Sequence, residues 1–227
     1  MAKSDREIKR TRNRDSTKWN SNDRKELRCD TFLSSSSFSP QKIYLILGLI
    51  ILMAFIIRVL FFNANPPALN QDEAMHGYNA YSIGKTLKDH RGYCLPAQMH
   101  GFGNLGVVSP MYTYLTVPFV TLFGLSETTV RLVSLLFHLA LIPLLFVFVN
   151  RLFKNPIAGL LTCLFFALNP WSIHFSRIGH EATLGPFFYF LLLYLYYDVL
   201  HAHKKSKSWI IAGIVSVSYT HLRAHET

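Results

Sequence analysis

Charge is scarce in this chain. Only 16% of its 227 residues are Asp, Glu, Lys or Arg, against about 25% in an ordinary soluble domain, which excludes a conventional water-covered globule. Cysteine is scarce as well. Cys29, Cys94 and Cys163 lie in three different surroundings without metal-ligand spacing, which excludes a disulfide framework and a cysteine-held metal or redox centre. No internal repeat is visible. No small-residue cleavage site follows the first apolar run, and the segment before that run is too long and polar for the head of a secretory signal. The run therefore reads as an anchor that stays in the protein.

What is present is apolar surface in blocks. Half of the residues are hydrophobic, with 18 Phe and 11 Tyr, and they cluster rather than alternate. This pattern predicts an all-α, polytopic transmembrane helical bundle. Spans are expected at about 43–62, 132–149, 157–175 and 182–200, with an incomplete one at 209–217. Residues 1–41 are rich in Lys, Arg, Ser and Asn, including a serine run at 34–37. They cannot bury enough apolar surface to order themselves and are expected to form a disordered, basic, cytoplasmic tail. Residues 42–217 form the multi-span domain. The last ten residues, SYTHLRAHET, interrupt the fifth apolar run abruptly and are expected to be a non-native tail at 218–227 on a truncated N-terminal piece of a longer protein.

The net charge of +10 is a membrane-topology signal rather than a nucleic-acid one. Residues 1–42 hold 11 Lys/Arg against 6 Asp/Glu, and most of the other basic residues flank hydrophobic runs. No nucleic-acid partner is expected. The apolar stretch 110–123 is only 14 residues, about 21 Å as a helix and short of the roughly 30 Å hydrocarbon core. If it does not cross, Arg151, Lys154, Lys204, Lys205 and Lys207 all fall on the cytoplasmic side with the tail. If it does cross, both later basic clusters move outside. The first arrangement satisfies the positive-inside bias and makes 110–123 a re-entrant or interfacial segment in an extracytoplasmic first loop. It also puts Asp72 and Glu73 on the same side as Arg177 and Glu181; the second arrangement separates them by a bilayer.

Several polar residues then stand out. In PPALNQDEAMHGYNAYSI, residues 66–83, two prolines end any helix leaving the membrane. Asn70 and Glu73 have capping-box spacing, so a helix is predicted from near Gln71 toward Lys88, with Ala74, Tyr78 and Tyr81 on one membrane-facing side. Acidic residues in that first turn either complement the helix dipole or carry chemistry. Arg58, near the end of the first span, either snorkels to the interface or meets a lipid phosphate. Arg177 and Glu181, four apart in NPWSIHFSRIGHEATLGPFF, either pair along one helix or serve a site. His174 and His180 are interfacial histidines rather than a metal motif, and Arg131 reads as an interfacial anchor.

Three segments in register, PPALNQDEAMHGYNAYSI, PMYTYLTVPFVTLFGLSETTVRLVSLLFH and FFALNPWSIHFSRIGHEA, resemble the N-terminal part of polytopic glycosyltransferases of the GT-C fold. The nearest families are the protein O-mannosyltransferases and the aminoarabinose-transferase-like enzymes, and the likeness spans about residues 43–200. The resemblance implies transfer of a sugar from a polyprenyl-phosphate donor to a protein, lipid or glycan acceptor outside the cytoplasm, in a multi-pass protein of a bacterial plasma membrane. It implies catalytic carboxylates at Asp72 and Glu73, and a donor-phosphate or active-site network of Arg58, Arg177, Glu181, His76 and Tyr78. A divalent metal is possible and no other cofactor is implied. The family's Lys or His before Pro-Pro is here Val108-Ser109-Pro110, so the donor-phosphate or metal contact made there is missing or comes from elsewhere. A transporter or lipid-handling protein would instead use Arg58, Arg177 and Asp72 in a polar pathway with repeats and mid-membrane charges; an inactive homologue would follow from the lost basic residue. Transfer from a labelled lipid-linked donor separates the three.

Overall fold

The computed structural model describes residues 39–60, 62, 64, 66–102, 107–201 and 213. The expected tail before residue 39, the last apolar run apart from residue 213, and the segment 218–227 lie outside the described residues.

The chain begins with α1 (Pro40–Val59), which has Pro40 at its first turn, where a missing N–H costs nothing. Leu47, Ile50, Ala54 and Arg58 are buried at spacings of three and four, one stripe of a helix, while Leu45, Leu49, Leu52, Phe55 and Ile56 are exposed on the rest. α2 (Gln71–Thr86) follows with the predicted capping box: the Asn70 side chain accepts from Glu73 N–H, and the Glu73 carboxylate accepts from Asn70 N–H. A short antiparallel ladder pairs β1 (Met99–His100) with β2 (Val107–Val108), Met99 opposite Val108. α3 (Met111–Phe123) is the short apolar segment expected between the spans. α4 (Glu127–Phe153), capped by Ser126, is 27 residues and about 40 Å long. It is the central post, packing against α1, α3, α5 (Pro156–Leu168) and α7 (Gly185–His201).

The expected span 157–175 is not one helix. α5 stops at Leu168, and α6 (Pro170–Phe175) starts anew. Pro170 lacks an N–H and disfavours helical backbone at Asn169, and the freed Asn169 side chain accepts from Trp171 N–H to start the second helix. After α6 the chain turns through residues 176–180 into a 3-10 turn (Glu181–Leu184) that leads into α7. Among the described residues three helical segments are long and apolar enough to cross a membrane: Pro40–Val59, Glu127–Phe153 and Glu181–Leu200. The main core joins Leu47, Ile50 and Ala54 of α1 to Leu141, Ile142, Leu145 and Phe146 of α4 and to Cys163 and Ala167 of α5.

Alternation of direction gathers the C-terminal ends of α1 and α5 and the N-terminal ends of α4 and α7 at one end of this bundle. The opposite end carries Arg151, which donates to Asp198 at 2.6 Å and to the Tyr194 hydroxyl at 3.0 Å.

Candidate active site

At the gathered end, α2 lies across the helix mouths and packs on α3 and α4. Its close seat on α4 depends on Gly77: a Cβ there would sit 2.7 Å from Val130 Cγ2. The first turn of α2 presents two acids with opposite surroundings. Glu73 is 1% exposed and receives Arg131 through Nε at 2.9 Å and Nη2 at 3.2 Å, Gly179 N–H at 2.7 Å and Asn70 N–H at 3.0 Å. Burial pushes the Glu73 carboxyl up, but Arg131 and the two backbone donors outweigh it and hold it below the usual glutamate range. Arg131 is itself buried and also donates to the carbonyls of Pro66 and Ala68. It is therefore not the interfacial anchor that its position at a span mouth implied; a cation inside the first turns of a span needs a partner, a rule that calls for an acid without saying which.

Asp72 is the other acid. Its side chain is half exposed, and its closest polar partner among the described residues is His180, with Nε2 at 3.6 Å from Oδ2. Both acids face the segment 177–181. Gly179 N–H donates to Glu73, and a Cβ on Gly179 would press within 3.0 Å of Val130 Cγ1 and 3.2 Å of the Tyr112 hydroxyl. Glu181 Oε2 accepts from His76 Nε2 at 2.8 Å, and His76 Nδ1 pairs with Thr113 Oγ1 at 2.8 Å. The i, i+4 ion pair between Arg177 and Glu181 does not form, because the two residues lie on different elements and each has a partner elsewhere. The 2.8 Å contact between His76 and Glu181 brings the two motifs together at one end of the bundle.

Arg177 turns instead to the end of α1. It donates to the carbonyls of Ile57 at 2.7 Å, Leu60 at 2.8 Å and Arg58 at 3.3 Å, satisfying acceptors left over in a last helical turn. Its partial burial pulls the guanidinium below its ordinary value. Arg58 does not snorkel. It is fully buried, donates to Ala54 and Ala167 carbonyls and to Ser172 Oγ at 2.8 Å, lies over the Phe166 ring, and leaves Nε without a partner. Among the described residues neither arginine has a carboxylate partner. Ser109, between Val108 at the position expected to be basic and Pro110, is buried with its hydroxyl unpaired.

Tyr78 is not brought to this cluster. It is exposed on the other side of α2, beside Phe102, and lines an apolar cleft of about 450 Å³ with Leu69, Ala74, Leu125 and Glu127. The expected sharing of a face by Ala74, Tyr78 and Tyr81 holds in that the two tyrosines are exposed. Nearby, His90 packs on Phe102 and donates N–H to the Asn79 side chain; burial, ahead of its charged neighbours, lowers its basicity.

Among the described residues no three His, Cys, Asp or Glu side chains are grouped to hold a metal ion.

No curated protein and no solved structure matches the chain. Residues 107–217 match the profile of the family described as dolichyl-phosphate-mannose-protein mannosyltransferase, a stretch that holds Arg131 and the segment 177–181 and begins after Asp72. The match covers just under half of the chain, so residues 107–217 are similar to that family; the helical bundle and its three membrane-length segments make the chain an integral membrane protein.

Proposed function

We propose that the protein transfers a sugar, of the mannosyl class, from a polyprenyl-phosphate carrier to a hydroxyl acceptor on the extracytoplasmic side, with Asp72 as the general base. The carrying observation is the contrast in the first turn of α2: Glu73 has every acceptor position engaged, while its neighbour Asp72 is half exposed with a carboxylate oxygen open. A base must have a lone pair within reach of the proton it removes. Asp72 has one, and Glu73 does not.

In the step, the Asp72 carboxylate takes the acceptor hydroxyl proton as the acceptor oxygen bonds to the anomeric carbon. The bond from that carbon to the phosphate oxygen breaks, and its electron pair leaves with the polyprenyl phosphate. The leaving group gains negative charge, which calls for cations near the membrane surface. Arg177 and Arg58, neither with a carboxylate partner among the described residues, stand at the end of α1 where a phosphate attached to a buried lipid tail would lie. Glu73 serves by holding the helix start and Arg131 in place.

Membranes carrying the protein expressed from its full coding sequence test this with a labelled polyprenyl-phosphate mannose donor. Asp72→Asn keeps size and helix-start polarity but removes proton acceptance, and transfer should fall by roughly 10²–10⁴-fold with membrane insertion normal. Wild-type transfer by Asp72→Asn would overturn the assignment of the base.

A further inference from the structure

We infer that His180 is a positioning residue for the reaction, its Nε2–H steering the Asp72 carboxylate so that one oxygen is held and the other faces the acceptor. The inference rests on the reading of Asp72 as the base.

The tautomer follows from the backbone. His180 precedes the 3-10 turn Glu181–Leu184, and its Nδ1 accepts Ala182 N–H at 3.1 Å. A neutral imidazole that accepts at Nδ1 carries its proton at Nε2. That N–H faces two carboxylate oxygens, Asp72 Oδ2 at 3.6 Å and Glu181 Oε2 at 3.9 Å. Glu181 Oε2 is already held by His76 Nε2 at 2.8 Å. Asp72 is thus the acceptor left for His180. The 3.6 Å gap exceeds hydrogen-bond length by a few tenths of an ångström, and catalytic contacts of this kind tighten when substrate binds.

The need for such a contact comes from where Asp72 sits. At the second position of a helix, with a half-exposed side chain, an aspartate has several staggered rotamers open to it. A base that samples several orientations loses the benefit of fixed geometry, and a misplacement of about 1 Å can cost on the order of 10²-fold. The His180 ring is held on one side by the backbone, through Nδ1, which leaves Nε2 facing the carboxylates.

The competing role is purely structural: His180 caps the 3-10 turn and nothing more. Two substitutions separate the roles. His180→Asn places an amide oxygen near the position of Nδ1, keeping the cap while removing the donor that reaches Asp72. His180→Gln places an amide N–H near the position of Nε2, keeping the donor while giving up the cap. In membranes containing matched amounts of inserted protein, His180→Asn should lower kcat roughly 10- to 100-fold with the KM for the labelled donor close to wild type, and His180→Gln should recover a substantial part of that loss. Wild-type kcat in His180→Asn, or a loss in His180→Gln as large as in His180→Asn, would overturn the inference while a dead Asp72→Asn leaves the base in place. A wild-type protein with no transfer at all would overturn the reading of Asp72, and this inference with it.

Discussion

A buried ion pair is worth least as a pair and most as a constraint on its members, and Glu73 with Arg131 illustrates why. Desolvation of the two charges offsets much of their attraction, yet removing either partner strands the other, at about 3–5 kcal/mol. Glu73→Gln and Arg131→Met should each lower stability by about that much in reversible unfolding in detergent, and the double variant should lose less than the sum. Near-additive losses would show the two residues to be uncoupled. The acid limb of the same measurement carries a sign. The folded-state pKa of Glu73 is depressed below its ordinary 4.5, so its contribution is full above that pH and is lost as the pH falls through the folded value; Glu73→Gln should flatten that part of the curve. The capping box that Glu73 forms was legible in the sequence, because it joins residues three apart. Its arginine was not, because the partner lies 58 residues away and periodicity reports only which residues share a face.

Among the elements, α1 shows how a helix is ended from a distance. Its last carbonyls are satisfied by Arg177, whose planar fork spreads over three acceptors, a geometry a lysine ammonium cannot reproduce. Arg177→Met should therefore destabilise the fold by about 1–2 kcal/mol, the scale of a partly buried cation at a helix C-terminus, and Arg177→Lys should fall between. The check is detergent unfolding together with amide hydrogen exchange at Val59 and Leu60. Unchanged exchange at those amides in Arg177→Met would rule out the capping role. The spans of α1 and α4 were readable from hydropathy alone. The break at Asn169-Pro170 was legible from the two residues themselves, whereas hydropathy ran the span on to residue 175, since it averages over a window and a proline changes only one hydrogen-bond position.

For the whole molecule, the arrangement of helix ends makes a topological forecast. Lys88, near α2, and Lys154, just past α4, are both exposed and lie toward opposite ends of the bundle. In a background with Cys29, Cys94 and Cys163 replaced, an impermeant thiol reagent should label Lys88→Cys in intact cells and Lys154→Cys only after permeabilisation. The reverse pattern would place Asp72 on the cytoplasmic side. The basic flanks pointed to a meeting of the two motifs, which the structure shows at one end of the bundle, whereas the partners of each side chain were not legible, since they depend on how four helix ends meet. The same arrangement has a consequence for synthesis. Arg58 relies on the carbonyl of Ala167, 109 residues further along, and on Ser172 beyond it. At about 5–20 residues per second, the ribosome needs roughly 5–20 s to supply them. Through that interval the nascent first helix carries a cation with only the Ala54 carbonyl of its own turn to bond, and a charge still without its later partners favours the headgroup level over the hydrocarbon.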